Sequence, residues 1–404
     1  MAKSKVLVVG GTGYIGKRIV KASLAQGHIT YVLQRREMGL DIDKIQMLLS
    51  FKKQGARLIQ GSFSDHQSLV DAVKQVDVVI CTMSGVHFRS HNILLQLKLV
   101  DAIKEAGNIK SSLRAEIQKT KLPINLHLLT ILVQNRRRLR QFLLQTPNQT
   151  VTFLILIIVV VLSLSFPIFV VLSFLSPSSS FNGALLGPSS SFNGAPNLLR
   201  QLRFIPSEFG TDPSRMGHAL EPGRVTFDEK MRVRRAIEEA KIPFTYVTAN
   251  CFAGYFAGNL SQMETLLPPR DKVTIYGDGN VKVVYMDEDD VALYTIKTID
   301  DPRTLNKTLN IRPPENILSQ RELVEKWEKL IGKELQKISC SQEDFLASIK
   351  GLDFASQVGV GHFYHFFYEG CLTNFEIGEE GEEASELYPD VKYTRMDEYL
   401  KLYL

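Results

Sequence analysis

Four short apolar runs, each followed by an amphipathic stretch, occupy residues 5–110 and leave this chain few folds to choose from. The pattern predicts strands at 5–9, 29–34, 56–60 and 77–82, and helices near 13–26, 41–53, 65–75 and 90–107. Runs such as Val76–Thr82 (VDVVICT) are apolar at nearly every position, which suits a strand buried on both faces. Strand and helix in regular alternation build an α/β fold, a doubly wound parallel sheet between two layers of helices.

The rhythm stops at residue 111 and resumes at Arg203-Phe-Ile-Pro-Ser-Glu-Phe-Gly, a strand running into a loop. Between them lie an arginine-rich stretch (Gln134–Arg140), an apolar run from Val151 to Leu175 with one internal proline, Pro167, and a tandem duplication. In the duplication, Pro177-Ser-Ser-Ser-Phe-Asn-Gly-Ala recurs at Pro188–Ala195. The apolar run has about the length of a membrane span, and the arginines before it would keep that flank cytosolic. A single crossing would place the first four strands and the fifth on opposite sides of a bilayer, although they must hydrogen-bond in one sheet. Two crossings need roughly 40 apolar residues, more than the run contains. The segment is therefore either a long excursion from the edge of the domain or no part of the functional protein. Tandem low-complexity repeats, one-sided charge and abrupt edges favour the second. Residues 111–202 read as an aberrant 92-residue insert, a retained intron or gene-model artefact. Removing them joins Lys110 to Arg203 through a connection of ordinary length, and no membrane is expected for the functional form.

The charge has the same origin. A formal net charge of +5 invites a polyanionic partner, but 111–202 holds eight Lys and Arg against one acid, Glu116. The rest of the chain has 40 basic and 42 acidic residues, so no nucleic acid is expected as a partner. Cys81, Cys251, Cys340 and Cys371 stand apart with no Cys-x-x-Cys pair, which argues against a zinc site and a disulfide framework and suits a reducing compartment. The first residues lead directly into a strand rather than a signal peptide, and a cytoplasmic location is expected.

Gly10-Gly11-Thr12-Gly13-Tyr14-Ile15-Gly16 follows the first strand and opens a helix. The first glycines permit a tight turn, Gly13 lets the backbone approach a pyrophosphate, and Gly16 lets helix and strand pack closely. The helix end adds free N–H groups and a positive dipole. In the context of a βαβ unit this is a Rossmann-type dinucleotide site, to which Thr12, Tyr14 and Ile15 belong by position. The end of the second strand reads Gln34-Arg35-Arg36, where an enzyme using NAD usually carries an acid. Arg35 suits a 2′-phosphate, so NADPH is the expected cofactor, with Lys44 as a second phosphate contact.

The Tyr-x-x-x-Lys pattern of short-chain dehydrogenases occurs once, at Tyr388–Lys392, but Pro389 and its position near the C-terminus exclude that motif. Thr226-Phe-Asp-Glu-Lys-Met231 is the better candidate. Thr226 and Glu229 are spaced as a capping box, which puts Lys230 in the first turn of a helix near 226–240. The helix dipole and Arg234 four residues on both disfavour an ammonium there, and such a lysine can serve as general base. Further strands are predicted near 243–248, 272–276, 281–285 and 306–311, and helices at 288–299, 319–331 and 341–350. Residues 1–110 and 203–250 then form the cofactor domain. Residues 251–404, rich in aromatics near the end, form mainly a smaller substrate lobe, with some elements returning to the sheet.

Val9–Gly16, Met83–Asn92 (MSGVHFRSHN), Pro206-Ser-Glu-Phe-Gly210, Leu220–Met231, Asn250–Phe256 (NCFAGYF) and Gly359–Phe375 resemble the plant pinoresinol–lariciresinol reductases. These sit with isoflavone and phenylcoumaran benzylic ether reductases in an atypical, NmrA-like branch of the short-chain dehydrogenases. The resemblance covers 1–110 and 203–404. It implies that Lys230 is the catalytic lysine, that Ser207 and Phe252 join the cofactor contacts, and that the substrate is a small aromatic lignan reduced with NADPH. The lysine would take a phenolic proton, opening the ether ring to a quinone methide that receives a hydride. The aromatic C-terminal lobe would stack on the substrate rings. The branch also contains sister reductases and NADPH-sensing proteins without turnover, and it allows a homodimer. Arg36 departs from the family, where proline is usual, and the insert interrupts the core just before Pro206.

Overall fold

A computed structural model describes residues 3–35, 41–84, 92–119 and 202–404. β1 (Lys5–Val9), β2 (Ile29–Gln34), β3 (Arg57–Gln60), β4 (Val78–Cys81) and β5 (Arg203–Ile205) pair in parallel in the order β3-β2-β1-β4-β5. Successive side chains of a strand point to opposite faces, so Val6 and Val8 enter one core and Leu7 and Val9 another. Helices cover both. α1 (Gly16–Ala25) and α2 (Ile42–Lys53) bury Ile19, Val20, Leu48 and Phe51 in the first core. α3 (His66–Val73) and α4 (Gln96–Lys119) bury Leu69, Val70, Leu99 and Ile103 in the second. This is the doubly wound fold expected from the alternation of elements.

α5 (Val225–Glu239) follows β5, and β6 (Thr245–Thr248) comes alongside through a parallel bridge between Phe204 and Phe244. The next strands are β7 (Cys251–Phe252), β8 (Lys272–Tyr276), β9 (Lys282–Met286) and β10 (Lys307–Asn310). β11 (Ile317–Ser319), β12 (Gln336–Cys340) and β13 (Gly381–Glu383) are the last strands among the described residues. β10 lies in parallel between β6 and β13, β9 pairs with β7 and β11, and β8 pairs with β12. Of the later helices, α6 (Ala253–Phe256), α7 (Glu288–Thr298), α8 (Gln320–Ile331), α9 (Gln342–Ala347) and α10 (Phe354–Tyr364), the last continues into a π-helical turn, His365–Glu369.

Most predicted boundaries fall within a few residues of those observed. β7, β11, β12 and β13 were not legible, being short or, in β12, largely exposed. The helix predicted near 90–107 instead runs from Gln96 to Lys119, past the predicted edge of the insert. Residues 1–109 and 201–404 cluster as one compact unit and 110–200 as another. The apolar run Val151–Leu175, the duplication, Arg36 and most of Met83–Asn92 lie outside the described residues. Among the described residues no helix is long and apolar enough to cross a membrane.

Candidate active site

The parallel strands end at one edge, and a cleft of about 650 Å³ opens there. It is walled by the segments that follow β1 (Gly10–Ile15), β4 (Thr82–Ser84), β5 (Ser207–Thr211) and β6 (Asn250 and Phe252). β1 and β4 are the strands between which the order reverses, the place where an open α/β sheet accepts a ligand.

Gly10 takes φ +81°, and a side chain there would press on Thr82, whose hydroxyl donates to the Val9 carbonyl at 2.8 Å. A Cβ on Gly16 would overlap the Gly10 carbonyl oxygen, so this glycine permits the close approach of helix and turn. α1 begins at Gly16 rather than 13, with no side-chain cap and no acid in its first turn, which leaves its dipole to favour an anion. Gly10, Thr12, Gly13, Tyr14, Ile15, Lys44, Ser207 and Phe252 all line the cleft. Gly16 and Arg35 do not; Arg35 is exposed just beyond β2. Lys44 is paired with Asp41 at 2.6 Å, the residue that caps α2. A bare helix end, a turn that excludes side chains and a base in place of an acid after β2 fit a phosphorylated dinucleotide.

Tyr14 donates its hydroxyl to Glu288 at 2.6 Å, and Glu288 also accepts the Gly254 N–H at 3.0 Å. Burial and Glu288 push the phenol well above its ordinary range, so Tyr14 is a poor proton source. Tyr388 donates to Asp301 at 3.0 Å and is not among the residues lining the cleft, in keeping with the rejection of Tyr388–Lys392 as a catalytic pair.

Lys230 lines the cleft and donates from Nζ to the main-chain carbonyl of Glu208 at 2.7 Å. The expected capping box is not formed. Thr226 instead donates to Gly223 O at 3.2 Å and meets His362 Nε2 at 3.2 Å, while the helix starts at Val225. Lys230 thus stands in the second turn, where the dipole is weaker. Its pKa is nevertheless lowered: burial of the amine acts first and Arg234 in the same sense, against Glu208 and Asp212. The Arg234 guanidinium is engaged elsewhere, holding Glu208 through Nε at 2.7 Å and Nη2 at 2.5 Å, and Asp212 through Nη1 at 3.0 Å.

His362 was missed in the sequence, as was the Glu208–Arg234 pair. Burial pushes the imidazole down to about 4, so it is neutral at neutral pH. Nε2 lies 3.1 Å from Gly223 O, which assigns the proton to that nitrogen. One turn on, His365 Nε2 accepts the Leu220 N–H at 3.0 Å, so its Nδ1 carries the proton and donates to Glu369. Glu369 also meets His218 at 3.1 Å, which straps the loop before α5 to the C-terminal segment. Phe256, also lining the cleft, packs against Phe363 and Phe366 with ring centroids 5.3 and 5.7 Å apart, forming an aromatic wall. Local pattern could not have found these partners: Glu208 and Arg234 are 26 residues apart, Thr226 and His362 136.

The model of the NmrA-like family matches residues 2–125 and 202–400. The chain is 62% identical over 404 residues to an isoflavone reductase homolog of Lupinus albus, and 56% over 406 residues to a bifunctional pinoresinol-lariciresinol reductase of Linum perenne. Each alignment covers all of both chains. Among solved structures, AtPrR2 with NADP+ and (+)pinoresinol shares 51% identity, with a TM-score of 0.75 over the whole of both chains.

Proposed function

The chain belongs to the NmrA-like family, and on that premise we propose that it is an NADPH-dependent reductase of furofuran and furan lignans, taking pinoresinol to lariciresinol and then to secoisolariciresinol. The observation that carries this reading is the place of the Lys230 amine, on the wall of a cleft that begins at the glycine turn and ends on aromatic rings.

The turn after β1, the end of α1, Arg35 and Lys44 hold the dinucleotide, which when bound supplies a hydride to the benzylic carbon. Phe256, Phe363 and Phe366 receive the aryl groups of the lignan. The Lys230 amine, whose pKa burial lowers, accepts the phenolic proton. The electron pair released on the ring expels the benzylic ether oxygen, giving a quinone methide, and that oxygen takes a proton from water. Reduction at the benzylic carbon restores the aromatic ring as a phenolate, and Lys230 returns its proton there. The second ether ring is opened in the same way.

Lys230→Met is expected to lower turnover with pinoresinol by about 10²–10⁴-fold while NADPH still binds. In the wild type, kcat/KM should rise with pH through the pKa of the amine, because the neutral form is the base. Undiminished NADPH oxidation and lariciresinol formation by Lys230→Met would overturn the mechanism and favour a protein that binds NADPH for another purpose. The name of the Lupinus albus relative supports a second reading, reduction of an isoflavone or a phenylcoumaran benzylic ether with the same lysine. Competition between these substrates and pinoresinol separates the two. We place the enzyme in the cytoplasm, without a membrane or nucleic-acid partner.

A further inference from the structure

We propose that Arg234, Glu208 and Asp212 form a positioning device for Lys230, one that aims the carbonyl holding the amine and sets the charge around it. The inference rests on Lys230 being the base. The Arg234 and Glu208 side chains are 6% and 3% exposed, so the ion pair is almost wholly enclosed. Arg234 uses three nitrogens at once, two on the Glu208 carboxylate and one on Asp212, and its guanidinium lies over the Tyr246 ring at 4.1 Å. A planar fork bound on both edges and stacked on a ring has little freedom to rotate.

Arg234 also stands one helical turn after Lys230 on α5. The same residue of the β5 loop therefore meets α5 twice, its carboxylate at Arg234 and its carbonyl at the Lys230 amine, 2.7 Å away. The preceding residue is pinned as well: the Ser207 N–H donates to Gln96 at 2.7 Å and its hydroxyl to the Met83 carbonyl at 2.6 Å. The loop can hardly shift without breaking buried charged hydrogen bonds.

The charged and titratable groups acting on the amine are Glu208 and Asp212 from the loop after β5, Arg234 from α5 and His362 from α10. His362 is neutral at working pH. The cluster thus offers one cation and two carboxylates, a net negative charge that offsets part of the effect of burial on the amine. Removing either sign should move the amine in opposite directions, which a merely structural salt bridge would not do.

The test is the pH dependence of kcat/KM for pinoresinol with saturating NADPH, on the full chain and its variants. Glu208→Gln keeps the shape and removes a negative charge, so the rising limb should move to lower pH, by about one unit. Arg234→Gln should move it to higher pH by a similar amount, and the double variant should return it near the wild-type position. Limbs that stay in place, or shift in the same direction, overturn the proposal. Arg234→Gln leaves a buried carboxylate without its partner and can fail to fold. Glu208→Gln then decides alone, a lower limb supporting the device and an unmoved or raised limb overturning it. Lys230→Met, assayed in parallel, separates the two levels. If it still reduces pinoresinol, the base assignment itself falls. If it is inactive while the limbs stay fixed, only the positioning device does.

Discussion

At the scale of single residues, the same kind of side chain reads differently according to what it meets. Arg35, just beyond β2, is exposed and stands between Gln34 and Arg36, as suits a 2′-phosphate contact. Arg234 is almost wholly enclosed and neutralised by two carboxylates. Proximity in sequence suggested only that Arg234 repels Lys230. The fold keeps that repulsion but sets two acids against it, and the burial that lowers the amine depends on walls contributed by several segments. Arg35→Ser should therefore raise KM for NADPH by about tenfold or more, the worth of a charged hydrogen bond, and leave KM for NADH nearly unchanged. Steady-state kinetics with both cofactors check this; an equal effect on the two would remove Arg35 from the 2′-phosphate.

At the scale of elements, two stretches carry the same capping signature and only one uses it. Ser319-Gln-Arg-Glu322 closes a complete box at the start of α8: Ser319 accepts the Glu322 N–H, and Glu322 accepts the Ser319 N–H at 2.6 Å. Thr226-Phe-Asp-Glu229 has the same spacing, but the Gly223 carbonyl and His362 engage the threonine hydroxyl and the helix starts one residue earlier. A box forms when no better partner is near, and sequence spacing carries no information on that. Ser319→Ala should cost about 1 kcal/mol of stability, read as a lower urea midpoint. Because no residue of α8 lines the cleft, kcat and KM for pinoresinol should stay as they are. A change in kcat without a change in midpoint would contradict this account of the helix.

At the scale of the whole molecule, the sheet runs from β4 to β5 across the long interruption: Val78 pairs with Arg203, Val79 with Phe204 and Ile80 with Ile205. The family match likewise leaves 126–201 aside. A chain lacking 126–201, which keeps α4 to Lys119 and the buried Leu202, is therefore expected to fold with the same thermal midpoint and to reduce pinoresinol at least as fast. Peptides from 126–201 recovered from active enzyme, together with loss of folding in the shortened chain, would show that the segment is needed. The alternation of apolar strands and amphipathic helices, the glycine turn and the arginine that takes the place of an acid directly after β2 together determined the fold class, the cofactor and the edge of the sheet that binds it. These are local periodicities and local backbone demands, carried by residues close together in the chain. The fold alone decided which carbonyl holds Lys230, which carboxylates face Arg234 and which imidazole meets Thr226. Each of those pairings joins segments far apart in sequence, and their charges interact strongly only once packing has removed the water between them.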